Sequence, residues 1–400
     1  MINILEEAKS LQNSIVTDRR YIHQNAELGM DLPVTTAYVI ERLKSMGYEP
    51  QVITNSAVVA LAGCKKEGKT ILLRADMDAL PIVEENGLEF KSTTKNMHAC
   101  GHDTHAAMLL GAAQILKNHE DEIEGTVKLM FQPAEEQLSG AIAMVEAGVL
   151  ENPKVDAAIM IHIFSGMPIP AGTLIIPNPG YFTSSGDMFH IDIKGKGGHG
   201  AMPQDCVDPL NVMAHIHTAL QEIIAREIAP SNTAVITIGQ MHGGNASNII
   251  PDTAFIEGSI RAFNSNDREF MKTRVVEVAK GVASTFRAEA SVEYRIKCPS
   301  VYNDPDLYKH VVKINNELLG EENTQGFEKA FPGGKMTGSE DFGYVSEKVP
   351  SVMMALGGGS PEQGFPYPQH HPKVDFSEDV FYIGSAVYAN TAIEWLKISK

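Results

Sequence analysis

The chain has 400 residues, 43% hydrophobic and 21% charged, the composition of an ordinary soluble globular protein, which excludes a disordered or fibrous chain. At ~150 residues per domain, this length predicts two or three domains. Thirty-three basic against 50 acidic residues leave a formal charge of -17, a field that repels phosphate backbones and acidic lipid surfaces, so neither nucleic acid nor a membrane is an expected partner.

The N-terminal stretch MINILEEAKS lacks a basic segment followed by an apolar one, and no run approaches ~18 apolar residues, so the expected location is the cytoplasm. Helical spacing runs through Ile4, Leu5, Ala8, Leu11 and Ile15, then through Val39, Ile40, Leu43 and Met46 with Gly47 as a C-cap. Two helices are therefore expected before the sheet. Apolar runs at 57–62, 70–74, 125–131 and 155–163, interleaved with helical patterns at 104–117 and 139–147, argue for an α/β sheet. From residue 183 the order becomes strand 186–194, helix 209–226, strands 233–240 and 253–262, helix 267–286 and strand 288–297. That β-α-β-β-α-β order is a ferredoxin-like unit. After Pro299 a mixed pattern resumes, with a helix at 305–319, an apolar run at 351–356 and a last helix near 379–397. The expected organisation is a large discontinuous domain, 1–182 and 299–400, interrupted by a compact α+β domain, 183–298.

In an open α/β sheet, ligands bind beyond the C-terminal ends of the strands, so polar residues just after apolar runs are the first candidates. ILLRADMD places Asp76 and Asp78 there, VKLMFQPAEE places Glu135 and Glu136, and AAIMIHIF places His162. HACGHDTH adds Cys100, His102, Asp103 and His105 just before a helical run. Each has an ordinary explanation taken singly: a solvated acidic pair, a core histidine, a small buried thiol, capping aspartates. Their repeated appearance at strand ends is what independent explanations do not produce. The four cysteines, Cys64, Cys100, Cys206 and Cys298, form no CxxC pair, so neither a disulfide framework nor a structural zinc knuckle is expected. Thiolate, imidazole and carboxylate from separate segments are instead the ingredients of a divalent-metal site. In such a site one carboxylate of the Glu135–Glu136 pair can ligate while the other acts as base.

These residues resemble the metal-dependent amidohydrolases that include hippurate hydrolases, auxin-conjugate hydrolases and N-acetyl-diaminopimelate deacetylases, within the aminoacylase and carboxypeptidase superfamily. The resemblance runs through RRYIHQNAELG near residue 19, RADMDALP, MHACGHDTHAAMLLGAA, FQPAEE, KGGHGAMP, NASNIIPDTAFIEGSIR, TGSEDF and HHPKVDF near residue 370. It implies a mixed-sheet, metallopeptidase-like α/β catalytic domain carrying an inserted ferredoxin-like lid and dimerisation domain. It further implies two divalent ions (zinc, manganese, cobalt or nickel) held by Cys100, His102, Glu136, His162 and His370, with Glu135 as general base. His370 is preferred to His371 by the His-x-Pro spacing. Asp76 and Asp103 look like carboxylates that orient ligand imidazoles, and His105 like a packing or hydrogen-bonding residue. From the inserted domain the resemblance implies His199 at the developing oxyanion, and Asn248 and Arg261 at the substrate.

The implied activity is hydrolysis of an N-acyl amino acid by a homodimer. A dipeptidase, a ureido or carbamoyl amidohydrolase, and a non-catalytic metal-binding scaffold are the alternatives. A cysteine hydrolase built on Cys100 and His102 leaves Glu135, Glu136, His162 and His370 unexplained. Ala26 stands where relatives carry proline, at a position expected to lie in a surface turn.

Overall fold

The computed structural model describes residues 3–329 and 333–399. The chain divides into two compact units, one made of Met1–Phe182, Val301–Met336 and Asp341–Lys400, the other of Thr183–Ser300 with Thr337–Glu340.

The first unit is built on an eight-stranded mixed sheet whose centre is four parallel strands, in the order Thr126–Gln132, Thr70–Asp76, Ala157–Ser165 and Ser351–Gly359. Every residue of these four strands is buried, as expected for parallel strands covered on both faces. Their side chains alternate between two cores. Ile71, Leu73, Ile159, Ile161, Val352 and Met354 join one, while Leu72, Ala158, Met160 and Met353 join the other. The first core is closed by helices Gln12–Gln24, Pro33–Ser45, His102–Asn118, Pro305–Leu319 and Phe381–Ile398, and the second by the short helix Gly140–Glu146. Because the central strands are parallel, their C-terminal ends share one edge, where Asp76, the Pro133 turn and His162 therefore meet.

The expectation of two helices before the sheet is corrected to three. The first ends at Ser10, the next spans Gln12–Gln24, and the third starts with Pro33 in its first turn. The middle helix escapes a hydrophobic-period search because its buried residues are Ile15, Asp18, Arg19, Ile22 and His23, so most of its inward face is charged or polar.

The second unit is an antiparallel sheet in the order Ala234–Gly243, Thr253–Ala262, Gly186–Lys194 and Glu289–Cys298. Helices Pro209–Glu222 and Ser265–Thr285 supply Val212, Ile216, Met271 and Val275 to its core. The first of these helices continues as a π-helical turn, Ile223–Glu227.

Candidate metal centre

Helix His102–Asn118 starts at the sheet edge, and the glycine before it permits the approach. Gly101 has φ +93, and a Cβ there would stand 2.5 Å from the Ile163 side chain. Only glycine takes up that backbone without strain. Cys100 and His102 are thereby held against strand Ala157–Ser165, with Cys100 Sγ 3.5 Å from His162 Nε2. The acidic pair arrives through the turn after Gln132, held by Gly140, where a Cβ would stand 1.6 Å from the Pro133 carbonyl oxygen. Glu135 Oε2 and Glu136 Oε1 then lie 3.8 and 4.0 Å from His102 Nε2. His370 comes from a distant loop, with positive φ (64), and its Nε2 lies 3.4 Å from Glu136 Oε1.

The ring tautomers follow from the second nitrogen of each imidazole. His102 Nδ1 donates to the Asp78 carbonyl at 2.9 Å, and His162 Nδ1 donates to the Ile163 carbonyl at 2.7 Å. Each ring therefore turns a bare Nε2 lone pair inward. His102 Nε2 and Glu136 Oε1 are both buried without a hydrogen-bond partner, and two orphaned acceptors side by side cost about 1–3 kcal/mol each unless something fills the space. The potential ligand atoms of Cys100, His102 and His162 lie within 4.8 Å of one another, as do those of Cys100, Glu136 and His370, and those of His102, Glu135 and Glu136. These sets overlap at Cys100, His102 and Glu136, which suits two neighbouring cations.

Burial disfavours charge on His102, but Asp76 and Cys100 outweigh it and raise its pKa well above the ordinary value, so a cation at Nε2 takes the place of a proton. At Cys100 and His162 the electrostatics favour ligation directly. Burial, and then the Glu136 charge, push the Cys100 thiol well above its ordinary value. A thiolate here needs a cation beside it. Burial, with His105 alongside, pushes the His162 imidazole well below its ordinary value, which keeps it neutral and able to ligate.

The two carboxylates expected to orient ligand imidazoles make their hydrogen bonds elsewhere, although Asp76 Oδ2 stands 3.7 Å from His102 Nε2. Asp76 accepts from His105 Nδ1 at 2.5 Å and from Arg74 Nη1 at 2.6 Å. Asp103 accepts from Arg19 Nε and His23 Nδ1, both at 2.8 Å. Neither carboxylate receives a hydrogen bond from a candidate ligand imidazole, because Asp76 ends a strand beside Arg74 and helix His102–Asn118, while Asp103 faces helix Gln12–Gln24. Asp78 holds the site instead. Its carbonyl fixes His102, and its carboxylate accepts from the backbone N–H groups of Glu135 and Glu136 at 3.0 and 3.2 Å. It stands in RADMDALP beside Asp76, so its strand-end position was the available signal. His105 uses both ring nitrogens, the second accepting from Ile163 N at 2.8 Å. His371 stacks on Tyr367 with ring centroids 4.4 Å apart and accepts from Lys373 N.

On the second unit, a short ladder pairs His199 with Ile249, and Gly200 N donates to the Asn248 carbonyl at 2.9 Å. This brings His199 and Asn248 together. His199 is exposed. Arg261 lies on strand Thr253–Ala262 and donates to Ser339 Oγ at 2.6 Å.

Residues 72–394 match the model of peptidase family M20/M25/M40. The chain belongs to that family. It is 39% identical to an IAA-amino acid hydrolase ILR1-like 2 of Arabidopsis thaliana, covering 98% of this chain and 88% of that one. It is 34% identical to a hippurate hydrolase of Campylobacter jejuni, covering 99% and 100%. Among solved structures, the Bacillus subtilis YXEP protein, described as a dinuclear metal binding peptidase of the M20 family, superposes with a TM-score of 0.80 at 30% identity, covering 97% of this chain and 99% of that one. The M20 scaffold thus accounts for both the mixed sheet and the donor cluster at its C-terminal edge.

Proposed function

We propose that this M20-family protein is a dinuclear metal-dependent amidohydrolase that cleaves the amide of N-acyl amino acids. The observation that carries the reading is the convergence of Cys100, His102, Glu136, His162 and His370 on one sheet edge, with His102 Nε2 and Glu136 Oε1 left without partners. Relatives named for hydrolysis of amino-acid conjugates and of hippurate support the substrate class. The mixed donor set accepts zinc, cobalt, nickel or manganese. When bound, the two ions polarise the amide carbonyl and acidify the attacking water.

The remaining work belongs to the chain. Glu135 removes a proton from the attacking water, holds it on a carboxylate oxygen, and returns it to the departing amine nitrogen. Asp78 holds the backbone of Glu135 and Glu136 in register with His102. His199 is assigned to the oxyanion, Asn248 to the substrate, and Arg261 to the substrate carboxylate, where a guanidinium fork suits two oxygens.

Glu135→Gln keeps the shape and removes the base. It should lower turnover of hippurate and N-acetyl amino acids by at least ~10²-fold while leaving metal uptake unchanged. Near-normal turnover in that variant would reject the assignment. If dipeptides or ureido acids are hydrolysed and N-acyl amino acids are not, the substrate class is wrong.

We also assign a homodimer formed through the second unit, whose edge strand Ala234–Gly243 offers unpaired backbone groups. Sedimentation showing only monomer at micromolar concentration would remove it. Four free cysteines, Cys100 among them, suit a reducing cytoplasm. No helix among the described residues is long and apolar enough to cross a membrane.

A further inference from the structure

Helix Gln12–Gln24 carries buried charge that the reaction does not use. Arg19 and His23 are four residues apart, on one helical face. Both donate to the same oxygen of Asp103, the residue that follows His102 in the first turn of helix His102–Asn118. His23 reaches further, with Nε2 3.2 Å from Glu84 Oε1. The next residue, Glu85, donates its backbone N–H at 2.8 Å to the carbonyl of Pro372, two residues beyond His370. Arg19 Nη1 and Arg20 Nε bind Glu378 Oε1 at 3.1 and 3.0 Å, which ties down the end of that same segment. The Phe90 ring covers both guanidinium groups, 4.5 and 4.7 Å from their central carbons. The Arg19 and Asp103 side chains are 1% and 0% exposed.

We propose that helix Gln12–Gln24 is the positioning element of the metal centre, with Arg19 and His23 acting through Asp103, Glu84 and Glu378 to set where Cys100, His102 and His370 stand. The inference rests on the metal-centre reading above. Docking of the helix does not need these charges, because Ile15 and Ile22, 1% and 0% exposed, already bury it in the core. Buried ion pairs do no better for stability than apolar residues of the same shape. What they add is direction. A planar guanidinium fork or a two-donor imidazolium facing fixed carboxylates admits one arrangement, whereas apolar packing tolerates slippage, and here the fixed carboxylates lie on the segments that lead into the ligands. Metal sites depend strongly on such outer partners.

The test is cobalt titration of chelator-stripped protein, comparing wild type with Arg19→Lys, His23→Gln and, as a control on the apolar side of the same helix, Ile15→Val. Arg19→Lys keeps the charge and loses the fork that joins Asp103 to Glu378, and His23→Gln keeps a polar group and loses the double donor. If the inference holds, both bind cobalt roughly tenfold more weakly and shift the thiolate-to-cobalt absorption band that reports the Cys100 geometry. Ile15→Val lowers the melting temperature and leaves band and affinity alone. Folded Arg19→Lys or His23→Gln protein with wild-type band and affinity, differing only in melting temperature, makes the helix a staple and overturns the positioning role. Wild-type protein that takes up no cobalt overturns the metal-centre reading itself, and the positioning role with it.

Discussion

At the scale of single residues, the centre turns on which atom each side chain leaves free. Asp78 shows how much one buried carboxylate can organise. It is 1% exposed, its carbonyl accepts from His102 Nδ1, and its two oxygens accept from Glu135 N and Glu136 N. Burial raises its pKa, with His102 opposing. Two backbone N–H groups donating to it favour the charged form as well. Asp78→Ala keeps the backbone carbonyl that fixes His102 and removes the carboxylate that accepts from the Glu135 and Glu136 backbone, so the acidic pair loses its register with the ring. Metal affinity should fall about 10- to 100-fold, measured by competition with a chromophoric chelator. An unchanged affinity would show that the Asp78 carboxylate does not set the site. The sequence displays both aspartates in RADMDALP, and choosing between them requires knowing that the first is engaged by Arg74 and His105. His370 and His371 are likewise equivalent on paper. Stacking of His371 on Tyr367 and the approach of His370 to Glu136 separate them.

At the scale of elements, helix Gln12–Gln24 links pH to stability. Burial disfavours charge on His23, but Asp103 and Glu84 outweigh it and raise its pKa above the ordinary value, with Arg19 opposing. A raised folded pKa means that the stabilisation is fully present below the unfolded value of about 6.5 and is lost as pH rises through the folded value. In metal-free protein, the difference in unfolding free energy between wild type and His23→Gln should therefore shrink from about pH 6.5 upward. Denaturant titrations at a series of pH values check this, and a pH-independent difference would show that His23 does not carry the proton in the native state. Such a helix is hard to find from hydrophobic spacing, because spacing registers apolar inward faces and this one is lined with Asp18, Arg19 and His23. RRYIHQNAELG was visible as a motif, but its partner Asp103 lies 84 residues from Arg19.

At the scale of the whole molecule, all five candidate ligands belong to the first unit, while His199, Asn248 and Arg261 belong to the second. A ligand stabilises only what it binds in the folded state. Calorimetry should resolve a transition that metal raises and a chelator lowers, by about 2.7 kcal/mol at a free metal concentration of 100 times Kd, and a second transition that neither moves. A single transition shifting as one would show that the units unfold cooperatively. The formal charge of -17 keeps the surface repulsive toward polyanions and agrees with a small-molecule substrate.

The class of the fold and the ingredients of the site can be read from contiguous stretches of the chain. Buried parallel strands must read as continuous apolar runs, and a site at their C-terminal edge must place its polar residues just after them; both are properties of contiguous stretches of chain. Asp76, Asp78, Glu135, Glu136 and His162 were visible for that reason, and Cys100 and His102 because they stand just before a helical run. Folding alone brings the Asp78 carbonyl to His102, turns His370 rather than His371 toward Glu136, and sets helix Gln12–Gln24 against Asp103. A hydrogen bond is settled by distance and direction between groups remote in sequence, and no periodicity in the chain encodes which distant donor reaches a given carboxylate first.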